Sequence, residues 1–132
     1  MNKLKGEISA IESSGSLSML DILVKGIHLK VIVVETPETA SYLKTGKKMN
    51  LLFKETEVVL SKNPALSISI ENSIKGTVTA ITKEKLLSKV ELASPQGNIS
   101  AVVSTEKLVE MQLKENAEVL VMLKSNEIML SE

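Results

Sequence analysis

NSIKG at residues 72–76 repeats a short pattern already met at residues 2–6 as NKLKG, with Asn, Lys and Gly at the same spacing. Shifting the sequence against itself by 70 residues extends the match without a gap over 62 aligned positions, of which 14 are identical. Ala10 meets Ala80, Ile11 meets Ile81, Leu17 meets Leu87, Leu43 meets Leu113, Lys54 meets Lys124 and Glu57 meets Glu127. Identities concentrated at apolar and glycine sites in one register indicate a tandem duplication. The expected units are residues 1–62 and 63–132.

Each unit reads as a set of short strands. Leu4, Gly6, Ile8 and Ala10 alternate with polar residues, as do Ile74, Gly76, Val78 and Ala80, which is the period of a half-buried strand. Gly6 and Gly76 are expected to mark a bulge or tight bend. Further strands are expected over Ser18 to Val24, Leu29 to Val34, Lys48 to Phe53 and Glu57 to Leu60, with counterparts 70 residues on. A short helix should follow the third strand, with Thr36 as N-cap, Pro37 in the first helical position and an end near Leu43 to Gly46. Its second copy should start at Ser104 or Thr105 and stop at Lys114 to Asn116, where Asn116 replaces Gly46 in a left-handed position.

Five strands with one helix between the third and fourth describe a small oligonucleotide/oligosaccharide-type (OB) barrel. A unit of about 60 residues buries only about 60% of its unfolded surface and is marginal alone, so the units should pack on each other. Ser67-Ile68-Ser69-Ile70, after the Asn63-Pro64 turn, alternates like a strand and is expected to lengthen the second unit's first strand toward its neighbour. The expected fold is all-β: two tandem OB-like five-stranded barrels, each with one short helix, packed with strand exchange.

Composition narrows the function. Sixteen basic and sixteen acidic residues balance, and there is no arginine. With only Tyr42 and Phe53 as aromatic residues, the chain lacks the concentrated positive face and the stacking platforms that nucleic acid needs. The most apolar stretch, Ile22 to Val34, is broken by Lys25 and Lys30, so no membrane segment or export signal is expected, and the absence of cysteine suits the cytoplasm. His28 has no partner at metal-ligand spacing, and no nucleophile has a base within reach of any motif, so the chain is not expected to be an enzyme or to hold a cofactor or metal.

The run Ser69-Ile70-Glu71-Asn72-Ser73-Ile74-Lys75-Gly76, followed by Val102-Val103-Ser104 and by Leu123-Lys124-Ser125, resembles the molybdenum-pterin-binding (Mop, or TOBE) family. The resemblance covers nearly the whole chain as two tandem modules. It implies binding of molybdate or tungstate at interfaces between modules, for storage or homeostasis in the cytoplasm, and assembly into a homo-oligomer, a dimer or trimer. It also implies a ligand set of Ser69, Asn72, Ser104, Lys124 and Ser125, with Lys54 from the first unit. The chemistry suits the guest: a fully deprotonated tetrahedral dianion offers only acceptors, so hydroxyls, an amide, an ammonium and backbone N–H groups are what it requires. The family has arginine where this chain has Glu71, and a carboxylate facing a dianion would cost several kcal/mol, so Glu71 should point away or the site is lost. In the first unit Val34 and Glu55 stand at the positions of Ser104 and Ser125. The alternative is a ligand-responsive regulatory module, or a purely structural oligomerisation module that no longer binds an oxyanion tightly. For each site residue an ordinary role also exists: strand-edge solubility for the lysines, turn and cap chemistry for the serines and Asn72.

Overall fold

The computed structural model of the chain describes residues 1–64 and 67–132. The duplication is visible element by element. In the first copy, β1 (Asn2–Ser14), β2 (Leu17–Val24), β3 (Ile27–Val33) and β4 (Lys48–Phe53) are followed by a 3-10 turn at Glu55–Glu57 and by β5 (Val59–Ser61). In the second, β6 (Asn72–Lys83), β7 (Leu87–Ala93), β8 (Ile99–Ser104), helix α1 (Thr105–Glu110) and β9 (Glu118–Leu123) precede a 3-10 turn at Ser125–Glu127 and β10 (Met129–Ser131).

All pairings are antiparallel, and the last strand of each copy leaves its own sheet. The first sheet runs β10-β4-β1-β2-β3 and the second β5-β9-β6-β7-β8. Met129 stands opposite Leu52, and Val59 stands opposite Met122. The expected exchange is therefore present, although the exchanged strand is the fifth. Ser67 to Glu71 belong to no strand, and β6 begins only at Asn72, so the expected backward extension of that strand does not form. The Ala65-Leu66 part of the linker lies outside the described residues.

Inward positions follow the two-residue period. On β2, Ser18, Leu20, Ile22 and Val24 are buried while Leu17 and Leu23 face out, and β7 repeats this with Ser88, Val90 and Leu92 inside. Leu4, Ile8, Leu29, Leu51 and Phe53 of the first copy join Ile74, Val78, Ile99, Val121 and Leu123 of the second in one continuous apolar cluster. One core serves both copies, which compensates for the small size of each.

Both copies bend their first strand at a bulge. The register slips between Ile8 and Ala10 and again between Val78 and Ala80. The extra residues, Ser9 and Thr79, each donate a hydroxyl hydrogen bond across the slip, to the carbonyls of Asp21 and Glu91 at 3.1 Å. The glycines sit three residues earlier than the bulges they were expected to mark, and only Gly6 has another role. A Cβ on Gly6 would come within 2.6 Å of Ile22 Cγ2 and 2.9 Å of the Leu23 carbonyl, so β1 approaches β2 more closely than a side chain permits. At Gly76 the nearest atom would be 3.4 Å away, an ordinary contact.

Only the second copy keeps the helix. Its N-cap is Ser104, whose hydroxyl accepts the Lys107 N–H at 3.1 Å. In the first copy Ala40 N–H reaches Thr36 O at 2.9 Å, but the turn goes no further. Thr39 turns its hydroxyl onto the Thr36 N–H at 2.9 Å, and Tyr42 donates to Glu35. The segment Thr36-Pro37-Glu38-Thr39-Ala40-Ser41 is rich in hydroxyls that compete for the backbone, whereas Glu106-Lys107-Leu108-Val109-Glu110 is not. The expected helix in the first unit is thus replaced by turns. Gly46 and Asn116 do share a left-handed backbone, φ +89° and +70°. That conformation lets their N–H groups reach the carbonyls of Ile8 and Val78 at 2.7 and 2.8 Å, where β4 and β9 are about to begin.

Candidate functional site

The two sheets meet at two seams related by the repeat, and each is fastened by an asparagine. Asn72 opens β6, and its side chain grips the main chain of Lys30 on β3: Lys30 N–H donates to Oδ1 at 2.7 Å and Nδ2 donates to the Lys30 carbonyl at 2.8 Å. Asn2 does the same to Ser100 on β8, with both bonds at 2.8 Å. Since 2 and 72, like 30 and 100, differ by the repeat, these are one interaction made twice. Both asparagines are buried. Each supplies an edge strand with the donor and acceptor that a further strand would have given. The 3-10 turns support the same seams, Glu55–Glu57 lying on β8 and Ser125–Glu127 on β3.

Beside Asn72 lies the cluster Glu71, Lys124 and Ser125. Ser125 donates its N–H to Glu71 Oε1 and its hydroxyl to Glu71 Oε2, both at 2.9 Å. Ser125 is buried, so this carboxylate satisfies both of its donors. The Ser125 N–H holds the Glu71 carboxyl below the usual carboxylate range, helped by the Ser125 hydroxyl and the Lys124 charge and opposed by burial. At the corresponding place in the first copy the Met1 amino group lies 3.7 Å from Glu55 Oε2, and Lys89 lies 3.7 Å from Glu55 Oε1. Glu57 and Glu127, at the ends of the two 3-10 turns, are again repeat partners. A side-chain hydrogen bond with Glu57, then burial, then the Glu57 charge push the Glu127 carboxyl above its ordinary range, while Lys124 pulls it back.

The six residues expected to hold a ligand are not all gathered in one chain. Asn72, Lys124 and Ser125 share a seam, with Asn72 opposite Leu123 in the β6–β9 ladder. Ser69 lies on the exposed segment leading to Glu71, and Lys124 is exposed at the head of its turn. Lys54 heads the other turn, next to Phe53, which pairs with Asn2 at the opposite seam. Ser104 is four residues beyond Ser100 along β8, roughly 13 Å at strand rise, and caps α1. Glu71 neither points away nor stands free toward a ligand; it faces inward onto Ser125.

Two open grooves also repeat. One, of about 550 Å³, is lined by Lys62, Lys75, Thr77 and Glu118; the other, of about 670 Å³, by Lys5, Glu7, Lys25 and Lys48. None of the six expected site residues lines either groove. Among the described residues, no three or more acidic, histidine or cysteine side chains are grouped as metal ligands would be. No helix among them is long and apolar enough to cross a membrane.

The asparagine clamps and the Glu71–Ser125 contact escape inspection of the sequence. A clamp on main-chain atoms leaves no trace in residue type at its target, which is lysine in one copy and serine in the other. The repeat itself carried the available signal, since Asn2 and Asn72, like Glu57 and Glu127, are identical across it.

Paired, strand-exchanged five-stranded barrels with a donor-bearing seam define a small β-module of the TOBE class, and residues 68–130 match the TOBE domain. Molybdenum-pterin-binding proteins 1 and 2 of Clostridium pasteurianum are each 33% identical over 66 residues, covering 49% of this chain and 97% of the relative. A molybdate-bound crystal form of the cytoplasmic molybdate-binding protein ModG superposes with a TM-score of 0.90 at 28% identity, covering 98% of this chain and 94% of that one. The chain belongs to the molybdenum-pterin-binding (Mop/TOBE) family, as a tandem pair of modules.

Proposed function

We propose that this chain binds a tetrahedral oxyanion of the molybdate or tungstate type at seams between modules, and that it stores or buffers the anion in the cytoplasm. The modules are residues 1–62 and 63–132, and the working form is a homo-oligomer in which seams of neighbouring chains complete one another. The observation that carries this reading is the end-to-end likeness to ModG with molybdate bound. Exposed Lys124 and Ser69 beside the Asn72 seam, and Lys54 at its counterpart, supply the ammonium and hydroxyl donors that such an anion requires. The role is binding, which is also what the names of the relatives above describe.

One observation favours a second reading, a structural or regulatory module with weakened binding. Ser125 donates to Glu71 and the Asn72 amide donates to the Lys30 carbonyl, so two of the expected donors already have partners, and the Ser104 oxygen is taken up in capping a helix. Calorimetric titration with molybdate, tungstate, sulfate and phosphate decides between the two. Saturable heat with molybdate or tungstate, together with a raised thermal midpoint, supports storage, because a ligand that binds only the native state at about a hundredfold excess over Kd adds about 2.7 kcal/mol. No heat and no shift at millimolar anion supports the structural module.

A further inference from the structure

We propose that Glu71 is a tethered competitor of the oxyanion: its carboxylate holds the two Ser125 donors that the ligand would take, so the anion binds by displacing it, at this seam and not at the equivalent one in the first copy. This rests on the oxyanion reading above and adds to it how the site is occupied and how many sites a chain carries.

Both Glu71 oxygens are engaged, one by the Ser125 N–H and one by its hydroxyl, at 2.9 Å each, with Lys124 close enough to stabilise the charge. These are the features that hold any oxyanion: a main-chain N–H, a hydroxyl and an ammonium. Two oxygens on one centre, which a carboxylate presents, are also what one edge of a tetrahedral oxyanion presents. Ser125 is buried, so with Glu71 withdrawn and nothing in its place two donors would be left unpaired. The tether is loose on the other side. Ser67 to Glu71 lie outside every strand, and Glu71 itself is exposed, so the carboxylate can swing out without breaking a ladder bond. The ladder begins at the next residue, Asn72, whose clamp on Lys30 holds the seam while Glu71 moves.

The first copy has nothing comparable. Where Ser125 stands in the second copy the first has Glu55, and its carboxylate faces the Met1 amino group and Lys89. An incoming dianion would meet a second anion there, with no hydroxyl to take. The chain therefore offers one site of this kind.

The test is titration of molybdate into the full chain and into Glu71→Gln and Glu71→Ala variants, with thermal melts to establish that each is folded. Glutamine keeps one acceptor for the Ser125 N–H without the charge, and alanine clears the position. Both variants should bind at least about tenfold more tightly than the parent, a modest like-charge penalty removed. The stoichiometry gained should be one per chain, and adding Ser125→Ala should abolish the gain. In the parent, the Ser125 amide resonance should shift on saturation with molybdate. If the parent binds and both variants bind equally well or worse, Glu71 is only a strut and the competitor is refuted while oxyanion binding stands. If neither parent nor variants bind molybdate or tungstate, the oxyanion reading fails and the competitor with it.

Discussion

At the start of the first copy an amino group at Met1 faces a carboxylate at Glu55; at the start of the second a carboxylate at Glu71 faces the amide and hydroxyl of Ser125. Positions 1 and 71 correspond, as do 55 and 125, so the same pair of places is in contact with donor and acceptor reversed. One residue further on, the copies agree, since Asn2 and Asn72 make the same clamp with nearly the same distances. The difference shows which contacts a duplicated fold fixes. An asparagine that satisfies a main-chain donor and acceptor has no equivalent substitute, because removal leaves both unpaired. A polar contact at the rim needs only complementarity, and either partner can carry the charge.

The largest effect should come from breaking what the copies share. Asn72→Ala and Asn2→Ala should each cost about 2–4 kcal/mol in denaturant unfolding, from two unpaired main-chain groups. A loss under 0.5 kcal/mol, on the order of an exposed surface substitution, would show that the clamp is incidental.

Next in size is a test of the strand crossings, where the copies differ. Gly6→Ala places a methyl 2.6 Å from Ile22 Cγ2 and 2.9 Å from the Leu23 carbonyl, and should cost about 1–3 kcal/mol from overpacking. Gly76→Ala meets nothing nearer than 3.4 Å and should lie between neutral and about 1 kcal/mol stabilising, because alanine restricts the unfolded chain. Equal losses at both positions would overturn this contrast.

The smallest effects are electrostatic and of opposite sign. Glu71 titrates below its ordinary range, so its contribution is present above the unfolded carboxyl pKa and fades as pH falls through the folded value. The stability gap between the parent and Glu71→Gln should therefore close on acidification. Glu127 titrates above its ordinary range, so its contribution is complete below the unfolded pKa and is lost as pH rises through the folded value. Glu127→Gln should raise the thermal midpoint at neutral pH by about 1–2 °C, as relief of a partly exposed like-charge pair allows, and the advantage should vanish in acid. Melts of the parent and both variants across the acid range would show whether the two carboxylates behave in opposite ways.

Much of the architecture was legible because periodicity and duplication are written in side chains. The strand Lys48–Phe53 lies where alternation placed it, and Gly46 and Asn116 have the left-handed backbone their chemistry suggested. The expected helix after Thr36 failed because capping residues start a turn but cannot sustain one, and the hydroxyls that follow compete for the same backbone groups. Ser67 to Ile70 alternate like a strand yet lie in none of the strands among the described residues, since alternation records which face could be buried and does not supply a neighbour. The candidate site was legible only in part. Residue types at Lys124, Ser125 and Asn72 announce donors, but the partners of Asn72 and Ser125 are a main chain at Lys30 and a carboxylate 54 residues earlier, which no local pattern encodes.

The exchange of β5 and β10 bears on how this protein is made. The first sheet holds four of its strands by Phe53, but its fifth, β10, lies beyond residue 128. At about 5–20 residues per second a ribosome needs several seconds to supply it. Through that interval the outer edge of β4 lacks the strand that covers it in the finished sheet, and an unpaired edge is the kind of surface on which another chain can pair.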